Sequence, residues 1–239
     1  MEITKPHNWG LDHFSEFIEI SRRHLFESVS NLKPEYERLV AIDAVFKTVQ
    51  ENLSYSGQWL PALFFLRSHS SFLCASTASL SGQLAEAYMI LRGCLENSLY
   101  ALWFSKHKQD APLWFRRNES PEAKKKVKNE FRLTKLLNHL KAIHPIEGNI
   151  ATNLYERTID FGAHPNQLSL TSTMRMSKME DGAFVEIAYI SGDRLANELC
   201  LKTTAQIGVC SLSIFGCVLE QRYKLLGIDQ RIDDLKKGL

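Results

Sequence analysis

Gln83-Leu84-Ala85-Glu86-Ala87-Tyr88-Met89-Ile90-Leu91-Arg92-Gly93-Cys94-Leu95-Glu96-Asn97-Ser98-Leu99-Tyr100-Ala101-Leu102-Trp103-Phe104-Ser105-Lys106 carries apolar side chains at helical spacing on almost every side. A helix that is apolar all round is buried all round. It therefore needs other helices packed about it, and this stretch marks the centre of a helical bundle. Outward from it, two runs lack Lys, Arg, Asp and Glu altogether: Ser68 to Ala85 and Thr203 to Leu219. Their lengths approach that of a membrane span. Their Ser, Thr and Gln content argues against one, and no membrane partner is expected. Small residues let neighbouring helices approach closely, so both runs read as central helices of the same bundle.

The rest of the chain follows the helical period. Asp12 caps a first helix bearing Phe14, Phe17, Ile18, Leu25 and Val29. Lys33-Pro34 opens a second, ended by Gly57, and Trp59 to Leu80 forms a third. Ser120-Pro121 opens a helix continuing to Lys141, and another runs from about Gly148 to Ala163 before Pro165. A last helix spans Asp193 to Gly227. One segment departs from this pattern. Two β-prone runs flank Asp181-Gly182, a hairpin signal. The expected fold class is mainly α: a bundle of about six or seven helices with one β-hairpin insert. The expected organisation is a single helical domain over 1–239, with the insert at 168–190 and a charged, frayed tail at 228–239.

Composition bounds the function. The chain has 239 residues, 44% hydrophobic and 23% charged, with a net charge of +2. That is the balance of an ordered globular protein, and the net charge alone implies no nucleic-acid or membrane partner. No export signal is read in Met1 to Pro6. The five cysteines are odd in number and form no Cys-x-x-Cys, which points to buried, reduced thiols in a cytoplasmic protein. No phosphate loop, nucleophile elbow or His-Glu-x-x-His occurs, so no cofactor and no metal are expected.

Three constellations remain. Arg92 and Glu96 lie four apart on the most apolar helix. They read either as a buried ion pair fixing helix register or as a polar site facing a groove. In Tyr155 to Asn166, Arg157 and His164 are seven apart, so two helical turns bring them to one face, and Asp160, four before His164, is placed to orient its ring. Arg, His and a carboxylate together could hold a phosphate and move a proton; the alternative is a capping histidine beside a solvated arginine. Lys124, Lys128, Arg132 and Lys135 form a basic stripe that could track a nucleic-acid backbone or simply be a solvated face.

Leu91 to Trp103, followed by Tyr155 to Asn166 with its His164-Pro165-Asn166, resembles a group of uncharacterised bacterial helical proteins. Those carry an Arg-x-x-x-Glu helix and a later Tyr and His-Pro-Asn segment. More distantly, Arg157-x6-His164 is similar to the Arg-x4-6-His motif of the HEPN (higher eukaryotes and prokaryotes nucleotide-binding) superfamily. Many of its members are dimeric, metal-independent endoribonucleases. The resemblance implies RNA cleavage, with Arg157 stabilising phosphate charge and His164 as general acid/base. Arg92, Glu96, Tyr155 and Asn166 would complete a binding site, with RNA or a nucleotide as ligand and a homodimer as the assembly. The rival expectation is a non-enzymatic interaction module for a nucleotide or a partner protein, which requires a large exposed apolar patch.

Overall fold

The computed structural model describes residues 4–53, 59–165, 167–171, 174–179 and 182–239. Its helices are α1 (His13–Asn31), α2 (Lys33–Glu51), α3 (Trp59–Leu80), α4 (Leu84–Lys106), α5 (Ala111–Phe115), α6 (Pro121–Glu130), α7 (Leu133–Ile143), α8 (Pro145–Thr158), α9 (Gln167–Thr171), α10 (Arg194–Val218), α11 (Glu220–Leu226) and α12 (Ile228–Lys236). The fold is mainly α. Strands β1 (Met174–Met179) and β2 (Gly182–Ile187) pair antiparallel, with Met176 opposite Val185. Asp181, central to the expected turn, lies outside the described residues, as does Gly57.

Three caps act where the sequence places them. Asp12 accepts from the amides of Phe14 and Ser15, Ser120 from Ala123, and Asp193 from Ala196. Gly82, with φ +75°, makes the tight turn between α3 and α4 that a side chain would strain.

The core is built from α3, α4 and α10, which pack on one another, with α2, α7, α8 and α12 against them. The two charge-free runs meet here. Ser79 Oγ lies 2.9 Å from Thr204 Oγ1, and Phe72 presses on α10 at Gly208, where an added Cβ would come within 2.6 Å of its ring. Their hydroxyls are satisfied within the helices, Ser79 donating to Ala75 O and Thr204 to Cys200 O, so these polar residues can sit in the core. Among the described residues, α10 alone is long and apolar enough to cross a membrane, and 72% of its most apolar window is buried inside the protein.

The helices are more numerous than the six or seven expected, and each extra break has a local cause. The helix expected from Ser120 to Lys141 divides into α6 and α7 at Phe131. There the ring is buried against Phe104 at 5.4 Å, and the Phe131 carbonyl accepts from the Tyr100 hydroxyl at 3.1 Å. Arg132 follows in extended backbone. The helix expected to end at Gly227 breaks at Leu219, because Tyr223 turns back, donates to Leu212 O at 3.0 Å and is fully buried. The expected frayed tail at 228–239 is largely α12, pinned by buried Ile228 and Ile232 and by a 2.9 Å hydrogen bond from Arg231 to Thr48. The apolar stripe expected for α1 holds at Leu25 and Val29, which pack against the core, and is corrected at its start. Ser15, Ser21 and Ser28 are its buried residues, Gln83 donating to Ser21 at 2.7 Å, while Phe14 stays 72% exposed.

Candidate functional site

α4 and the end of α8 build a polar cluster. The Arg92 Nε donates to Glu96 Oε1 at 2.8 Å, one turn along α4. Its Nη1 lies 2.8 Å from His164 Nε2, and its Cζ sits 5.2 Å from the centroid of the Tyr155 ring. A guanidinium only donates, so Nε2 is the acceptor and the imidazole proton sits on Nδ1. Burial opposes the charge on Arg92, but the Glu96 hydrogen bond and charge outweigh it and hold the guanidinium more firmly protonated than usual. Burial pushes the Tyr155 phenol up, against the pull of Arg92.

The expectation that this ion pair is buried is corrected. The Arg92 and Glu96 side chains remain 26% and 31% exposed. Water screens the pair, so losing one partner costs on the order of 1 kcal/mol, the scale of a surface pair.

The structure also corrects the pairing of Arg157 with His164. Arg157 turns toward α10, where its Nη1 donates to Gln206 Oε1 at 2.7 Å and to Thr203 Oγ1 at 3.2 Å. The reason is a π-helical turn over Ile159–Ala163, which adds about one residue to the local turn. Seven residues then no longer equal two turns. Asp160 is exposed and makes no hydrogen bond or ion pair among the described residues, so it does not orient His164. His164 itself follows the helical turn in extended backbone, before Pro165. Asn166 lies outside the described residues.

The basic stripe is divided. Lys124 and Lys128 are on α6 and Lys135 is on α7, with Arg132 at the break, so no single helical face carries them. Lys135 pairs with Glu130 at 2.9 Å and lies 5.0 Å from the Trp103 ring centroid, and Arg132 donates to Asn129 at 2.7 Å. All five cysteines are unpaired thiols. Cys74 is exposed and Cys217 partly so, against the expected burial. Burial pushes Cys200 and Cys217 up to about 11 and Cys210 up to about 12. These thiols are poor nucleophiles.

A further feature emerges only in three dimensions. α3 is not buried all round. Trp59, Leu63, Leu66 and Leu73 are 58%, 50%, 39% and 44% exposed. With exposed Ser70 and Thr77 they form the series 59, 63, 66, 70, 73, 77, whose alternating steps of four and three make the seam of a helix that pairs with another helix. Trp59 stacks on Phe115 at 5.7 Å, which extends the seam onto α5. Arg67 and, on the neighbouring α2, Asp43 and Lys47 stand beside it, and Asp43 holds the buried His69 at 2.6 Å. The spacing is present in the sequence, but the other face of α3 is apolar as well, which hides it.

No family model, no curated protein and no solved structure matches the chain.

Proposed function

We propose that this chain is a non-enzymatic interaction module whose binding surface is the outward seam of α3, and that its partner helix is the α3 of a second copy. The observation that carries this reading is the exposed apolar series Trp59, Leu63, Leu66 and Leu73 at coiled-coil spacing. Extended apolar patches are uncommon on monomers, and a periodic row along one helix suits pairing with another helix. The charges beside the seam are of both signs, so two copies related by a twofold axis can set Asp43 or Lys47 against an opposite charge. Sedimentation equilibrium should show a dimer. Leu63→Glu combined with Leu66→Glu should give a folded monomer, because each new carboxylate would be desolvated in the interface. Both positions are exposed, so the helical circular dichroism should not change. A monomer at every concentration of the unmodified chain would overturn the proposal.

A second reading, metal-independent RNA cleavage with its arginine supplied from outside the Arg-x6-His motif, is favoured by the contact between Arg92 and His164 at 2.8 Å on a partly exposed surface. In this reading Arg92, not Arg157, receives the phosphate. Its move to the phosphate releases Nε2 of His164, which takes the proton of a 2′-hydroxyl. The 2′-oxygen attacks phosphorus and the P–O5′ bond breaks, the 5′-oxygen taking a proton from water, to give a 2′,3′-cyclic phosphate and a 5′-hydroxyl. Single-stranded RNA incubated with the protein in excess chelator should be cut, with activity lost in His164→Ala and Arg92→Ala and kept in Arg157→Ala. Intact RNA, or loss of cleavage in Arg157→Ala alone, would remove this reading.

A further inference from the structure

Arg157, expected beside His164, stands outside the polar cluster, and its surroundings point elsewhere. It lines one end of a groove of about 410 Å³ between α8, α10 and α12. Small-molecule sites begin at roughly 300 Å³. Two stripes make the walls: Ile146, Ile150 and Leu154 lead along α8 to Arg157, and Cys210 and Val209 lead along α10 to Gln206. Leu154, Val209 and Cys210 are buried and form the floor, while Ile146 and Ile150 are exposed and form a lip. From Ile146 to Arg157 the groove runs about 16 Å, at 1.5 Å per helical residue.

The charge in this groove is one-sided at the Arg157 end. Arg157 forms no ion pair among the described residues, and both of its hydrogen-bond acceptors, Gln206 and Thr203, are neutral. Those bonds use Nη1 alone. The Nε–H and Nη2–H groups, which together make the fork that grips a carboxylate side-on, donate to no acceptor among the described residues. The other cation lining the groove, Lys236, is already held by Asp233 at 3.2 Å. Glu147 stands at the opposite end, beside Ile146, where it repels a second anion. Ser213, on the floor near that end, has a buried hydroxyl with no partner among the described residues.

We propose that this groove binds an amphipathic monocarboxylate, its head on Arg157 and its apolar chain along Ile150, Leu154, Val209 and Cys210. One unpaired guanidinium balances one carboxylate; a phosphate dianion would keep a charge uncompensated. The site lies apart from the α3 seam and does not depend on it.

The test is calorimetric titration of the full chain with decanoate and with 1-decanol. Decanoate should bind with one site per chain, roughly tenfold or more tighter than the alcohol, as expected for a charge-assisted fork. Arg157→Gln should abolish the preference for the acid. Ile150→Asp, at an exposed lip position that leaves the fold intact, should weaken both ligands by setting a charge against the chain. Equal affinity for acid and alcohol, no binding of either, or decanoate binding that survives unchanged in either variant would overturn the proposal.

Discussion

Phe72→Ala should be among the most damaging truncations in the molecule, lowering the unfolding free energy by about 3–5 kcal/mol. Phe72 is 1% exposed, its ring centroid lies 5.4 Å from that of Phe46, and its edge rests on α10 at Gly208. The glycine is the reason for the magnitude. α10 approaches α3 here because position 208 has no side chain, so no side chain at that point of contact can swing into the space left by the ring. Urea denaturation measures the loss directly. Gly208→Ala alone should also destabilise, by about 1–3 kcal/mol, because its methyl group would overlap Phe72. In the double variant that methyl enters the cavity instead, and the combined loss should be smaller than the sum of the two. Strict additivity would mean that the ring and the glycine do not share the contact.

This pair also shows what could be read in advance. The closeness of α3 and α10 was legible, because runs of Ser, Ala, Gly and Thr without charge have no other good reason to be long. The apolar wrap of α4 was legible from its period, and the caps at Asp12, Ser120 and Asp193 from their chemistry. The breaks at Phe131 and Leu219 were not. Helical periodicity continues through both, and what ends the helices is remote: the Tyr100 hydroxyl takes the Phe131 carbonyl, and Tyr223 folds back on Leu212. Neither bond leaves a trace in the neighbouring residues.

The polar site was legible in part for the same reason. Arg92 with Glu96 obeys a rule internal to one helix, and the structure keeps that pair. Tyr155 and His164 were singled out as a second motif, and the fold joins them to Arg92 across two elements. The placement of Arg157 and His164 on one face assumed an unbroken 3.6-residue period between them. The π-helical turn at 159–163 removes that assumption, sending Arg157 to Gln206 and His164 to Arg92. Glycine frequency alone does not announce such a turn. What sets it is a close approach to another helix.

That approach makes Gly162 the most sensitive single position for the polar site. A Cβ at Gly162 would lie 2.3 Å from the carbonyl oxygen of Ala85 and 3.0 Å from its Cα. Both atoms are backbone of α4, which is held on its other sides by α3 and α10, so no flexible side chain can yield. Gly162→Ala should therefore push the turn away from α4, at a cost near the upper end of the overpacking range, about 3 kcal/mol. The displacement has a local reading as well as a global one. Arg92 sits two turns along α4 from Ala85, and His164 sits two residues beyond Gly162, so moving the turn parts Nη1 from Nε2. Nitrogen-detected imidazole spectra of the unmodified chain should show the Nε2 of His164 accepting from Arg92, with the ring proton on Nδ1, and Gly162→Ala should lose that single tautomer. Arg92→Ala provides the control: it should lose the same signature at a stability cost near 1 kcal/mol, since that ion pair is partly solvated. Loss of stability in Gly162→Ala with the Nδ1–H tautomer retained would show that the turn and the histidine are positioned independently. An unchanged melting curve would show that the turn does not bear on α4 at all.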